Sequence, residues 1–142
     1  MADGDETPRI LLVEDDDTEA ALFSRMMEKH IRQVRIDRAT SGEDAMVALH
    51  ASGAALLPDC IVLDLRLPGE DGIWMLEKLL EAPDLKSIPV IVFSGDVSRL
   101  GPASSQFPNV ASSVRKPHSV EEYEATLLIV GAIVRATVSD AA

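Results

Sequence analysis

Cys60-Ile61-Val62-Leu63-Asp64-Leu65-Arg66-Leu67-Pro68-Gly69-Glu70-Asp71-Gly72 carries an apolar run onto one carboxylate and then straight into turn residues. A short, unbroken apolar run of this kind reads as a fully buried strand. In an open α/β sheet the chemistry sits beyond the carboxyl ends of the strands, and Asp64 falls at such an end. Pro68, Gly69 and Gly72 punctuate the loop that follows. Asp64 is therefore expected to be held rigidly by the sheet and still be reached from solvent.

The same pattern recurs on either side. Ile10-Leu11-Leu12-Val13 runs into Glu14-Asp15-Asp16-Asp17. One or two of these acids are accounted for as a helix N-cap at Asp16 or Asp17. The rest point to a bound cation. Ile88 to Phe93 forms another buried run and turns out through Ser94-Gly95, and Val110 to Arg115 ends at Lys116-Pro117. Val34 to Ala39 supplies a short second strand. Helical spacing is found from Thr18 to about Gln33 (Leu22, Met26, Met27), after the capping start at Ser41-Gly42-Glu43-Asp44, over Ile73, Leu76, Leu79 and Leu80, and from Val120 to about Val138. The span 95–109, rich in Gly and Pro, allows at most a short helix, with Pro102 at its first position.

Five strand-then-helix units with short connections predict a doubly wound, five-stranded parallel α/β sheet with helices on both faces and a short or irregular fourth helix. Residues 1–8 read as a flexible lead, 9–138 as one domain and 139–142 as a tail. With 142 residues, of which 46% are hydrophobic, a sizeable core is available. The formal charge of −11 repels a phosphate backbone, so no nucleic acid is expected as a partner. The lone cysteine, Cys60, fits a core position in a reducing compartment. No signal-peptide pattern and no bilayer-length apolar run is found, so the expected location is cytoplasmic, with no membrane partner.

The polar residues at four strand ends form a set. Glu14, Asp15 and Asp64 need a counter-charge if all are to ionise together, and Mg²⁺ suits them. Lys116 and the Ser94 hydroxyl would suit phosphoryl oxygens.

The stretches containing Glu14-Asp15-Asp16, Asp64-Leu-Arg-Leu-Pro68, Ser94-Gly and Arg-Lys116-Pro117 resemble the receiver domain of two-component response regulators over nearly the whole chain. The steps from Asp64 to Ser94 and to Lys116 have that family's lengths. The resemblance implies a flavodoxin-like receiver fold with Asp64 as phosphoacceptor. Mg²⁺ would be held by Glu14, Asp15, Asp64 and the backbone carbonyl of Arg66. Ser94 and Lys116 would bind the phosphoryl group, and the Lys116–Pro117 peptide would be cis. The donor implied is a sensor histidine kinase. A looser resemblance, to small regulators paired with bacterial phytochrome kinases, would make that donor a bacteriophytochrome. The receiver would be a signalling phosphoacceptor that assists its own phosphotransfer and dephosphorylation, acting by protein contacts or phosphorelay rather than as an enzyme.

Two features depart from the family pattern. Ser113 stands three residues before Lys116, where receivers carry a switching aromatic, and 95–109 replaces a regular fourth helix. The last helix is apolar nearly all round, which suggests a homodimer contact through Leu128, Ile129, Ala132 and Ile133. Other functions are weaker fits. A haloacid-dehalogenase-like phosphohydrolase needs an Asp at position 66, which is Arg. A nucleotide-binding domain needs a Gly-rich loop after the first strand. The remaining alternative is a binding-only pseudo-receiver acting as a dimeric interaction module.

Overall fold

The computed structural model describes residues 7–31 and 33–141, with side chains as far as 137. Strands and helices alternate: β1 (Arg9–Val13), α1 (Asp17–His30), β2 (Arg35–Ala39), α2 (Gly42–Ala51), β3 (Cys60–Asp64), α3 (Gly72–Glu81), β4 (Val90–Ser94), α4 (Leu100–Gln106), β5 (Val110–Arg115) and α5 (Val120–Ala141). All strand pairs are parallel, in the order β2-β1-β3-β4-β5. This is the doubly wound sheet that the alternation predicts. Residues 1–6 of the expected lead lie outside the described residues. Pro8 is already tied to the sheet, its carbonyl accepting the Arg35 N–H at 2.8 Å.

Strand periodicity divides the apolar side chains between two cores. Leu11, Val13, Ile61, Leu63, Val90 and Val92 face α2, α3 and α4. Ile10, Leu12, Cys60, Val62, Ile91 and Phe93 face α1 and α5. Successive strand residues point to opposite faces, and both faces are covered, so the central strands read as continuous apolar runs. Burial pushes the Cys60 thiol up to about 12, which makes it an inert packing group. The edge strand β2 differs: Arg35, Asp37 and Arg38 are exposed, and only Ala39 is fully buried.

Local chemistry fixes the helix starts. Asp16 caps α1, Ser41 caps α2 and Asp71 caps α3, each accepting a first-turn N–H. Several ends differ from the sequence reading. α1 stops at His30 because Ile31 turns extended and packs on the α1/α5 core. α4 has seven residues, starts at Leu100 after a 3₁₀ turn at Val97–Arg99, and holds Pro102 in its first turn. A proline there loses no helical bond, because first-turn N–H groups have no intrahelical acceptor. α5 continues to Ala141, through part of the expected tail.

Gly72, the first residue of α3, lies against the end of β3. A Cβ there would stand 2.7 Å from Leu65 Cα and 2.8 Å from the Asp64 carbonyl oxygen. Backbone atoms cannot yield as a side chain can. Gly72→Ala is expected to lower stability by about 1–3 kcal/mol in urea unfolding. Gly53→Ala, which has nothing within 4 Å of the added carbon, should change it little.

Candidate functional site

The strand order reverses at β1, so β1 and β3 stand side by side while their helices leave on opposite faces. Crevices form at the carboxyl ends of strands at such a point. Asp64 closes β3 and is only 4% exposed. Its Oδ1 accepts the Arg66 N–H at 2.9 Å, and its Oδ2 accepts from Lys116 Nζ at 2.8 Å. Glu14, just past β1, is 6% exposed. Its Oε2 accepts the Asp16 N–H at 3.1 Å, and its Oε1 accepts from Lys116 Nζ at 3.2 Å. Asp15 is exposed beside them.

One oxygen from each of Glu14, Asp15 and Asp64 lies within 4.8 Å of the others. These hard oxygen donors open onto a cleft of about 520 Å³, also bordered by Arg66, Pro68 and Lys116. The set fits a small divalent cation that keeps several waters.

Lys116 reaches the site from the far end of the sheet. Its N–H donates to the Ser94 carbonyl at 3.0 Å, fixing the backbone beside β4. Every described peptide bond is trans, including Lys116–Pro117, which corrects the cis expectation. Trans is the favoured isomer by about 0.5–1 kcal/mol. With it the ammonium already meets its carboxylates, so nothing in the packing demands the other form. Ser94 is 2% exposed, and its Oγ accepts the Asp96 N–H at 3.0 Å. Its own O–H is left free to donate, but Gly95 rather than Ser94 lines the cleft.

Burial is the largest influence on Glu14 and pushes its carboxyl up to about 7. The Asp16 N–H pulls against this, the Asp64 charge adds to it, and Lys116 opposes it. Burial pulls Lys116 down, yet its bonds to Asp64 and Glu19 together hold it above the ordinary lysine range. Tyr123 is raised by burial and then by the charges of Glu19 and Glu14.

Glu19 is the residue that sequence reasoning missed. Its Oε1 lies 2.6 Å from Lys116 Nζ. Three residues after the cap Asp16, it occupies a capping-box position, which hides any other use of the side chain. A second contact absent from the sequence reading is Arg99 Nη2 to Asp71 Oδ2 at 2.9 Å, joining the segment after β4 to the start of α3. Ser113, in place of an aromatic, pairs with Ser104 of α4, Oγ to Oγ, at 2.6 Å. On α5, Leu127, Val130 and Val134 are buried in the core. Leu128, Ile129 and Ala132 are exposed, while Ile133 is half-buried against that core and only borders the outward face.

Residues 10–125 match the model of the response regulator receiver domain. The chain belongs to the response regulator receiver family. This receiver is 34% identical over 120 residues to FilR2 of Methanothrix harundinacea, named a probable methanogenesis regulatory protein, with 83% of this chain and 77% of that one covered. It is 34% identical over 98 residues to the response regulator Rcp1 of Synechocystis, with 66% and 67% covered. The Mn²⁺-bound structure of Rcp1 matches with a TM-score of 0.69 at 25% identity, covering 87% of this chain and 91% of that one. The phosphorylated cyanobacterial phytochrome response regulator RcpA matches with a TM-score of 0.78 at 26% identity, covering 92% and 95%. Receivers are modules of two-component signalling. Among the described residues of this receiver, no helix is long and apolar enough to cross a membrane.

The raised Glu14 has a consequence for metal-free protein. A carboxyl at about 7 when folded, against 4.5 for an unperturbed glutamate, holds its proton more tightly in the fold. Its stabilising contribution is full below pH 4.5 and is lost as pH rises through about 7. In EDTA, the urea midpoint of Glu14→Gln relative to wild type is expected to shift in the variant's favour between pH 5 and pH 8. A difference that stays constant over that range contradicts the assignment.

Proposed function

We propose that this receiver accepts a phosphoryl group on Asp64 from a phosphohistidine of a sensor histidine kinase. The observation that carries the reading is the buried Asp64 carboxylate. One of its oxygens lies 2.8 Å from Lys116 Nζ, in a cluster where it, Glu14 and Asp15 bring oxygens within 4.8 Å. Glu14, Asp15, Asp64 and the Arg66 carbonyl would hold Mg²⁺. Bound there, the cation neutralises developing charge on the phosphoryl oxygens and draws donor and acceptor together.

The chain's own groups do the rest. An Asp64 oxygen forms the bond to phosphorus as the phosphorus–nitrogen bond of the donor histidine breaks, and the imidazole keeps the electron pair. Lys116 pairs with a phosphoryl oxygen, and the Ser94 hydroxyl donates to another. The backbone N–H of Arg66 keeps Asp64 aimed. Water later hydrolyses the acyl phosphate at the same site, a step the receiver assists. The names of its relatives favour a phytochrome-type kinase as donor: RcpA is a cyanobacterial phytochrome response regulator. Signal leaves by protein contacts or onward relay.

The outward face of α5 is the proposed two-fold homodimer contact, with Leu128 58% and Ile129 38% exposed beside Ala132, and Ile133 at its margin. Single exposed apolar residues are ordinary, but adjacent large ones on one helix face favour a partner.

Intact-mass measurement after incubation with acetyl phosphate and Mg²⁺ tests the chemistry. One added phosphoryl group is expected, absent in Asp64→Asn and in EDTA. No addition, either from acetyl phosphate or from a phosphorylated kinase, would leave only the binding module. Sedimentation tests the contact. Wild type is expected to dimerise at tens of micromolar, and Ile129→Glu to remain monomeric. A wild type that is monomeric with and without phosphorylation removes the α5 interface.

A further inference from the structure

The Lys116 ammonium has three donors and no acceptor, and carboxylates occupy all three. Nζ lies 2.6 Å from Glu19 Oε1, 2.8 Å from Asp64 Oδ2 and 3.2 Å from Glu14 Oε1. Two of these partners already have tasks in the proposed chemistry, Asp64 as acceptor and Glu14 as a cation ligand. Glu19, with the shortest contact, has none.

The three partners also differ in freedom. The Glu14 and Asp64 side chains are 8% and 5% exposed and sit at strand ends, whereas that of Glu19 is 47% exposed. The Glu19 backbone is pinned, its N–H donating to the Asp16 cap at 2.8 Å. Its carboxylate nevertheless crosses from the first turn of α1 to the end of β5 to reach the ammonium. Such a side chain can swing into water without opening the core, and its two partners cannot.

A phosphoryl group on Asp64 brings close to two negative charges and acceptor oxygens. It needs a Lys116 donor, and none is vacant. We infer that Glu19 occupies the phosphoryl oxygen's place on Lys116 in the unphosphorylated protein, and is a displaceable competitor that sets how readily the site takes a small phosphate donor. Glu19 touches none of the reacting atoms. It is a positioning residue that acts through Lys116. The inference rests on the reading of Asp64 as phosphoacceptor.

The test compares wild type, Glu19→Gln and Glu19→Asp. Intact mass follows phosphorylation over a range of acetyl phosphate concentrations at saturating Mg²⁺. Calorimetry follows binding of Mg²⁺ alone and of beryllofluoride, and urea unfolding reports stability. Removing the charge in Glu19→Gln is expected to lower the half-saturating concentration of acetyl phosphate, and that of beryllofluoride, by roughly threefold to tenfold. The limiting phosphorylation rate, the Mg²⁺ midpoint and the urea midpoint should change far less. Glu19→Asp keeps the charge and should stay near wild type. A Glu19→Gln protein with unchanged or weaker donor affinity overturns the inference, because Glu19 then orients Lys116 rather than competing for it. So does a loss confined to stability. If neither wild type nor Glu19→Gln gains mass, even from a phosphorylated kinase, the phosphoacceptor reading itself fails. Equal half-saturation in two phosphorylated proteins overturns only the role of Glu19.

Discussion

One ammonium lets two buried carboxylates stand together at the edge of this sheet. Burying an unpaired charge is costly, and two like charges beside each other raise that cost. Lys116 contacts both Glu14 and Asp64, but Glu14 follows β1 and Asp64 ends β3, while Lys116 follows β5. The strand order must therefore bring the three ends to one edge, with β4 between them. The Ser94 carbonyl at the end of β4 takes the Lys116 N–H, so the intervening strand sets the height from which the long side chain reaches across. The fold serves the site through this alignment more than through any single contact.

Stiffness is unevenly distributed around that edge. β3 and β4 are buried throughout, and each fully buried Leu, Ile or Val adds about 1.5–3 kcal/mol. Asp64 is mounted on the end of a strand buried along its whole length. The segment after β4 is of another kind: a 3₁₀ turn, a seven-residue helix and partly exposed polar ties such as Arg99–Asp71 and Ser104–Ser113. Half-exposed pairs of this sort are individually weak. A change of charge at Asp64 therefore meets a firm support below and a loosely fastened segment beside it. With Ser113 where an aromatic would stand, a small hydroxyl pair is one of the contacts between β5 and α4.

Much of this was legible in the chain because a parallel sheet covered on both faces must be written in continuous apolar runs. Ile10–Val13, Cys60–Leu63 and Val90–Phe93 show their ends plainly. The polar residues at those ends then cluster because parallel strands share one edge. What stayed hidden depends on side-chain direction. Glu19 looks like a capping residue because its position in the first turn explains it fully. α5 looks apolar on every side until its packing separates Leu127, Val130 and Val134 from Leu128 and Ile129.

The edge strand β2 bears on how the molecule behaves in a crowd. A strand at the rim of a sheet offers unpaired backbone groups to any other extended chain. Here that rim carries exposed Arg35, Asp37 and Arg38, and Arg38 is turned onto the Glu14 carbonyl and the Asp17 carboxylate. A second strand laid along it would have to strip water from these charges. The sheet is thereby closed to lengthening from this side.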